Sequence, residues 1–191
     1  MFGMLKRRIM WIDVRIPFDE NNRLAEAYNR ALRESTTDWV LFLDHDVFLC
    51  NPHWYSMCLY VIENLKGVDD RAACIGCKCG GSHHKRTVKR HGPPESDIEK
   101  HIAYSKKVYH KYGNMVRQIH EHAAGYFLLL NRQIAQEIGF RQVKNSINNI
   151  DQDFGSRLLE GGYHIYEMQG LYIYHRRGMK HLKKEFTIGH G

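Results

Sequence analysis

The stretch Trp39-Val40-Leu41-Phe42-Leu43-Asp44-His45-Asp46 decides how this chain is read. Five apolar residues follow one another without alternation. That is the pattern of a strand buried on both faces, as in the centre of a parallel sheet. The strand then delivers two carboxylates to its carboxyl end, the edge at which open α/β sheets bind ligands. Side chains alternate along a strand, so Asp44 and Asp46 share one side and His45 takes the other. A carboxylate is costly to desolvate unless it is paired or bound to a cation. Two that converge suit a hard divalent cation with oxygen ligands, Mg²⁺ or Mn²⁺. A solvated turn, or a pair of helix caps, would place the same residues there without a metal.

Working outward, residues 8–16 read as a first strand stopped by Pro17. Asn21 or Asn22 is placed to cap a helix running to about Ser35, with Leu24, Ala27, Tyr28, Ala31 and Leu32 on its buried face. Pro52 suits the first turn of a helix through about Leu65. Strands are expected at 72–78, 124–130, 163–166 and 171–175, and helices at 97–112, 132–138 and 151–160. Gly80, Gly81, Gly92, Pro93 and Pro94 mark a long loop over 80–96. Strands alternating with helices predict an α/β fold with a mostly parallel central sheet flanked by helices. A length of 191 residues suits a single domain, 1–191.

The net charge of +7 is unevenly spread. Between His83 and Arg117 nine lysines and arginines stand against three acids, so this segment carries nearly all the excess. Such a concentration predicts an anionic partner: a phosphate-bearing glycan or lipid, or a nucleic acid. Tyr104, Tyr109 and Tyr112 would stack on bases or sugars, or else form one helix face packed on the core. No apolar run is long enough to cross a membrane, and residues 1–8 lack the apolar stretch of a signal peptide. Five cysteines make a poor disulfide framework, and a cytoplasmic location is expected. Cys74, Cys77 and Cys79 with His83 and His84 could ligate zinc, or the cysteines could serve as small apolar residues of a strand.

The run from Asn22 to Leu32, followed by Asp38 to Asp46, resembles the heart of family 2 glycosyltransferases of the GT-A (Rossmann-like) fold. There a helix bearing an Asn, here Asn29, precedes the strand that ends in an Asp-X-Asp motif. Ile16-Pro17-Phe18-Asp19-Glu20-Asn21 is similar to the family's opening segment. Gly125 to Arg132 with Ile138-Gly139-Phe140 resembles its acceptor-side strand and helix. Asp151-Gln152-Asp153 through Arg157-Leu158 and Gly162-Tyr163 resembles its Glu-Asp-X-Asp motif, with Ile150 in place of the Glu.

The resemblance implies transfer of a sugar from a nucleotide-diphosphate sugar to an acceptor hydroxyl, with inversion. A UDP-sugar comes first, uridine being the family's commonest base. Asp151 would be the general base and Asp153 the second choice. Asp44, Asp46 and His175 would hold Mn²⁺ or Mg²⁺. Pro17, Phe18, Asp19, Arg23, Asp44, His45, Asp46, Arg176 and Arg177 would bind the donor, the last two closing over its phosphates from a basic tail, 176–191. Residues 80–120 have no counterpart in the family and would form a basic, acceptor-side insertion. The competing reading is a nucleic-acid-binding module, or a transferase that modifies DNA or RNA, working through residues 83–117. The chain departs from the family near its start. Relatives carry a further helix and strand before the Arg/Asn helix, whereas here about five residues separate it from the first strand. Either the nucleotide half is trimmed or Asp13 takes over the base contact.

Overall fold

A computed structural model describes residues 11–80, 92–93, 97–143 and 149–176. In chain order these residues form β1 (Ile12–Arg15), α1 (Leu24–Glu34), β2 (Trp39–Leu43), β3 (Val47–Phe48) and α2 (Trp54–Lys66). After them come β4 (Ala72–Gly80), α3 (Ile98–Tyr112), β5 (Val116–Ile119), β6 (Phe127–Asn131), α4 (Arg132–Ile138), α5 (Ile150–Glu160) and β7 (His164–His175). The strands make one seven-stranded sheet in the order β1-β2-β6-β4-β7-β3, with β5 also on β7. β1, β2, β4 and β7 run the same way, and β6 lies antiparallel between β2 and β4. This is the expected α/β architecture, flanked by helices and opened in the middle by one reversed strand.

β2 explains why a sheet of this kind forms. Trp39, Leu41 and Leu43 point into a core that includes Met57, Cys58, Val61 and Ile62 of α2. Val40 and Phe42 point the opposite way, toward Tyr28 and Leu32 of α1 and Phe154 of α5. Tyr28 stacks on Phe42 and Phe140 on Phe154, with ring centroids 5.0 Å and 4.0 Å apart, and the tilted Tyr28–Phe140 pair at 4.6 Å joins them. Each such ring contributes roughly 1.5–3 kcal/mol by leaving water. A strand buried on both faces therefore has no polar position to alternate.

Several sequence expectations change here. α1 is not capped by Asn21 or Asn22. The Asp19 carboxylate accepts the N–H groups of Asn21 at 2.9 Å and Arg23 at 3.2 Å, and Asn22 sits at φ 57° in the turn between them. The two strands expected at 163–166 and 171–175 are one strand. The ladder with β4 advances from Cys77↔Met168 to Lys78↔Tyr172, so Gln169, Gly170 and Leu171 bulge out within β7. Gly170 lies in this bulge, and the Gly113 carbonyl lies where a Cβ would go. β3, only two residues long, and β5, only four, gave no periodic signal and complete the outer edge of β7.

The cysteine cluster dissolves for the same geometric reason that made β2 legible. Along β4, Cys74 faces the α1–α5 core while Cys77 and Cys79 face the α2 core. They cannot converge on one ion. All three thiols are buried, and burial pushes their pKa values up, that of Cys79 to about 12. His83 and His84 lie outside the described residues.

Asn29, the residue that marks the family's helix, acts as a backbone clamp. Its Nδ2 donates to the Phe140 carbonyl at 2.9 Å and its Oδ1 accepts the Phe140 N–H at 2.8 Å, tying α1 to the turn after α4. Replacing it with alanine leaves two peptide groups without partners. Asn29→Ala should destabilise the protein by about 2 kcal/mol, read as a lower urea midpoint with an unchanged slope.

Candidate active site

The carboxyl edge of the sheet gathers the candidate residues. Beyond Leu43 the chain turns tightly, with the Val47 N–H on the Asp44 carbonyl at 3.3 Å, and enters β3. β3 pairs with the end of β7, Val47 opposite His175. The Arg176 N–H then reaches the Asp46 carbonyl at 2.9 Å. Two segments 129 residues apart in sequence are thus locked side by side. His175 Nε2 lies 2.9 Å from Asp46 Oδ1 and 3.5 Å from Asp44 Oδ2. One ligand atom from each of Asp44, Asp46 and His175 falls within 4.8 Å of the others. The side chain of Asp46 is 12% exposed and that of His175 16%, so neither carries a full hydration shell.

Burial pushes the Asp44 carboxyl above the ordinary carboxylate range. The His175 and His45 charges oppose that shift, and the Asp46 and Asp151 carboxylates add to it. Acidic groups crowded and desolvated in this way are relieved by a cation. Two carboxylate oxygens and an imidazole nitrogen form a donor set suited to a divalent ion. The nitrogen must give up its proton to become a ligand, so cation binding and protonation compete.

Asp151 opens α5 and faces the same edge. Its Oδ2 accepts the Gly125 N–H at 2.8 Å and its Oδ1 accepts the Gln152 N–H at 2.9 Å. The next residue, Tyr126, offers its carbonyl to the Asp44 N–H at 3.3 Å. The backbone of Gly125-Tyr126 therefore bridges the Asp44 N–H and the Asp151 carboxylate. Tyr126 also sets its ring 5.5 Å from that of His175. Sequence reading gave these two residues no role, and nothing in their type would have supplied one, since the link uses peptide groups.

Tyr28 is the buried position of α1 that its spacing predicts, and burial, with the charges of Asp44 and Asp151, pushes the pKa of its hydroxyl up.

The remaining predicted residues divide. Asp153 does not join the cluster's carboxylates in any bond but grips Arg157 at 2.8 and 2.9 Å. Arg157 in turn donates to the carbonyls of Ile138 and Gly139. Pro17, Phe18 and Asp19 follow β1, whose carboxyl end lies beside that of β2. Phe18 is 71% exposed. Asp19, its carboxyl lowered chiefly by the Arg23 N–H, and Arg23 engage each other, and Arg23 also reaches Glu26 at 3.1 Å. His45 is exposed in the turn, Arg176 is exposed at the end of β7, and Arg177 lies outside the described residues. The basic helix α3 packs across the second half of β7. His101 stacks on Tyr174 and bonds the Tyr172 hydroxyl at 2.7 Å. Tyr104 packs edge-on against Tyr172, and Lys78 Nζ sits 3.7 Å over the Tyr112 ring. Tyr104 and Tyr112 are thus core-facing, and Tyr109 is the exposed one.

The carboxyl edge of this α/β sheet thus carries a candidate cation site made by Asp44, Asp46 and His175. The family model for glycosyl transferase family 2 matches residues 11–139, β1 through α4, and the chain belongs to that family. No curated protein matches the chain. Asp151, Asp153 and His175 lie beyond the matched stretch and rest on geometry. Membership carries with it glycosyltransferase activity, a nucleotide-sugar donor and an acceptor. Among the described residues no helix is long and apolar enough to cross a membrane.

The raised Asp44 pKa has a direct consequence. A carboxyl that folding holds above its unfolded value favours the native state while protonated and loses that contribution as pH rises through the raised value. Asp44→Asn should therefore raise the melting temperature of the metal-free protein at neutral pH. In the unaltered protein, the upward shift caused by Mn²⁺ should grow as the pH rises from acid and be absent from Asp44→Asn. Differential scanning fluorimetry with and without EDTA reads both.

Proposed function

We propose that this protein transfers a sugar from a nucleotide-diphosphate sugar, a UDP-sugar first, to an acceptor hydroxyl with inversion at the anomeric carbon. The observation that carries the reading is the convergence of Asp44, Asp46 and His175 within 4.8 Å at the sheet edge, backbone-linked to Asp151. Asp44, Asp46 and His175 would hold Mn²⁺ or Mg²⁺, which when bound acts as a Lewis acid on the leaving diphosphate. Pro17, Phe18, Asp19 and Arg23 flank the nucleotide side, with His45 and Arg176 at the rim. Arg177 is assigned to the phosphates with them.

Asp151 is the base. The N–H groups of Gly125 and Gln152 fix its carboxylate in one orientation. It takes the proton of the acceptor hydroxyl as that oxygen bonds to the anomeric carbon. The bond from that carbon to the phosphate oxygen breaks on the opposite face. Asp153 is the weaker choice because Arg157 already occupies its carboxylate. The whole chain, 1–191, is read as one such domain, and the free, buried state of all five cysteines supports a reducing, cytoplasmic setting.

The acceptor is read as anionic. α3 lies against the strand that ends in His175 and exposes Lys100, Lys106, Lys107 and Lys111. A phosphate-bearing glycan or lipid matches this charge better than single-stranded nucleic acid. Base stacking needs exposed aromatic rings, and Tyr104 and Tyr112 face the core.

Incubation with a panel of UDP- and GDP-sugars should give Mn²⁺-dependent release of nucleoside diphosphate from one of them. Asp151→Asn should keep donor binding while turnover falls by roughly 10²–10⁴-fold, the usual contribution of a positioned base. Asp46→Ala should lose metal-dependent donor binding. Failure of every nucleotide sugar to bind with Mn²⁺ present would overturn the proposal.

A further inference from the structure

Among the described residues the sheet ends at β1, which pairs there with β2 alone. Hydrogen bonds across β2 fix which peptide groups of β1 face away. The Asp38 carbonyl accepts from Arg132 and the Asp44 N–H donates to Tyr126, both toward the β6 side. Peptide groups alternate sides along a strand, so Trp39 and Leu41 turn theirs toward β1. With Ile12 opposite Trp39 and Val14 opposite Leu41, the outward groups of β1 are those of Ile12 and Val14. Tyr55 of α2 covers the first: its hydroxyl accepts the Ile12 N–H at 3.0 Å. No side chain among the described residues covers Val14.

The features that usually guard an open edge are lacking here. β1 has no lysine, no proline before Pro17 and no bulge. Val14 is 39% exposed and Ile16 57%. The only charges are Asp13 and Arg15, paired with each other at 2.9 Å on the same side of the strand. Ile12-Asp13-Val14-Arg15-Ile16 therefore reads apolar, acidic, apolar, basic, apolar. Turned end for end, it is complementary to itself.

We propose that two copies of this chain associate through β1, antiparallel, about a two-fold axis at Val14. Val14 then exchanges two backbone hydrogen bonds with Val14 of the partner subunit. Asp13 comes opposite Arg15 of the partner subunit, and Arg15 opposite the partner's Asp13. Such facing residues form the close, non-hydrogen-bonded pair of an antiparallel ladder, where opposite charges attract and like charges repel. With the in-chain pairs, four charges alternate in sign around the axis. A register centred on Arg15 would instead set two guanidinium groups face to face. Tyr55 holds the Ile12 end, so the ladder is short and the association belongs with small, micromolar interfaces. The two sheets become one, and the carboxyl edges bearing Asp44 point in opposite directions.

Sedimentation velocity of the full chain over a micromolar concentration series tests this. The unaltered protein should move from monomer to dimer. Asp13→Arg and Arg15→Asp, each alone, place like charges opposite one another and should stay monomeric. Mixed in equal amounts, one variant presents two arginines and the other two aspartates, so the mixture should dimerise again. Val14→Pro, which removes the outward N–H, should be monomeric with an unchanged circular dichroism spectrum. A protein that is monomeric throughout, single variants that still dimerise, or folded variants that fail to dimerise on mixing would each overturn the proposal.

Discussion

The hydrogen bond from the Arg176 N–H to the Asp46 carbonyl, with the Val47–His175 pairing beside it, is the contact on which the site depends. The two carboxylates and the imidazole come from opposite ends of the sequence. Only the closing of β3 on the end of β7 sets them within ligand distance. β7 can reach that point because it runs unbroken from His164 to His175, anchored along β4 on one edge and by β5 and β3 on the other. The bulge at Gln169–Leu171 is what lets so long a strand stay paired while the residues beyond it, Tyr172 and Tyr174, receive α3.

Electrostatics and scaffold reinforce each other at this edge. Asp44, Asp46 and Asp151 put like charges close together at a partly buried surface, an arrangement that strains an unliganded fold and favours a divalent cation. The strain is held by backbone bonds rather than by flexible side chains. Gly125-Tyr126 grips the Asp151 carboxylate with the Gly125 N–H and the Asp44 N–H with the Tyr126 carbonyl. The proposed base, Asp151, and the backbone of Asp44, one of the proposed metal ligands, are tied to the same dipeptide, which holds the two residues at a fixed spacing. Such fixed geometry is what proton transfer from a bound hydroxyl demands.

Much of this was legible in the sequence, and the residues show why. Trp39–Leu43 announced a doubly buried strand because its apolar run had no alternation, and Asp44 and Asp46 at its end marked the place where the structure gathers a candidate cation site. Arg132–Ile138 was bounded by Asn131 and Gly139, a side-chain cap and a positive-φ stop, and its limits were readable to the residue. The Asp19 turn that leads into α1 was hidden because its carboxylate bonds the N–H groups of Asn21 and Arg23, ahead of the helix, and α1 itself has no side-chain cap. β3 and β5 were hidden because they are short pieces stabilised by β7, not by their own pattern. The roles of Gly125 and Tyr126 lie in peptide groups, which every residue shares. The reversed direction of β6 is a matter of topology that no local period encodes.

The central claim is that Asp44, Asp46 and His175 place a divalent cation on the diphosphate of a nucleotide sugar. The most direct test is phosphorus-31 relaxation of UDP-glucose, or of whichever donor binds, in the presence of the protein and substoichiometric Mn²⁺. Both phosphate resonances should broaden strongly with the unaltered protein, and that protein-dependent broadening should disappear with His175→Ala and Asp46→Ala. Equal broadening by the unaltered protein and both variants would contradict the account.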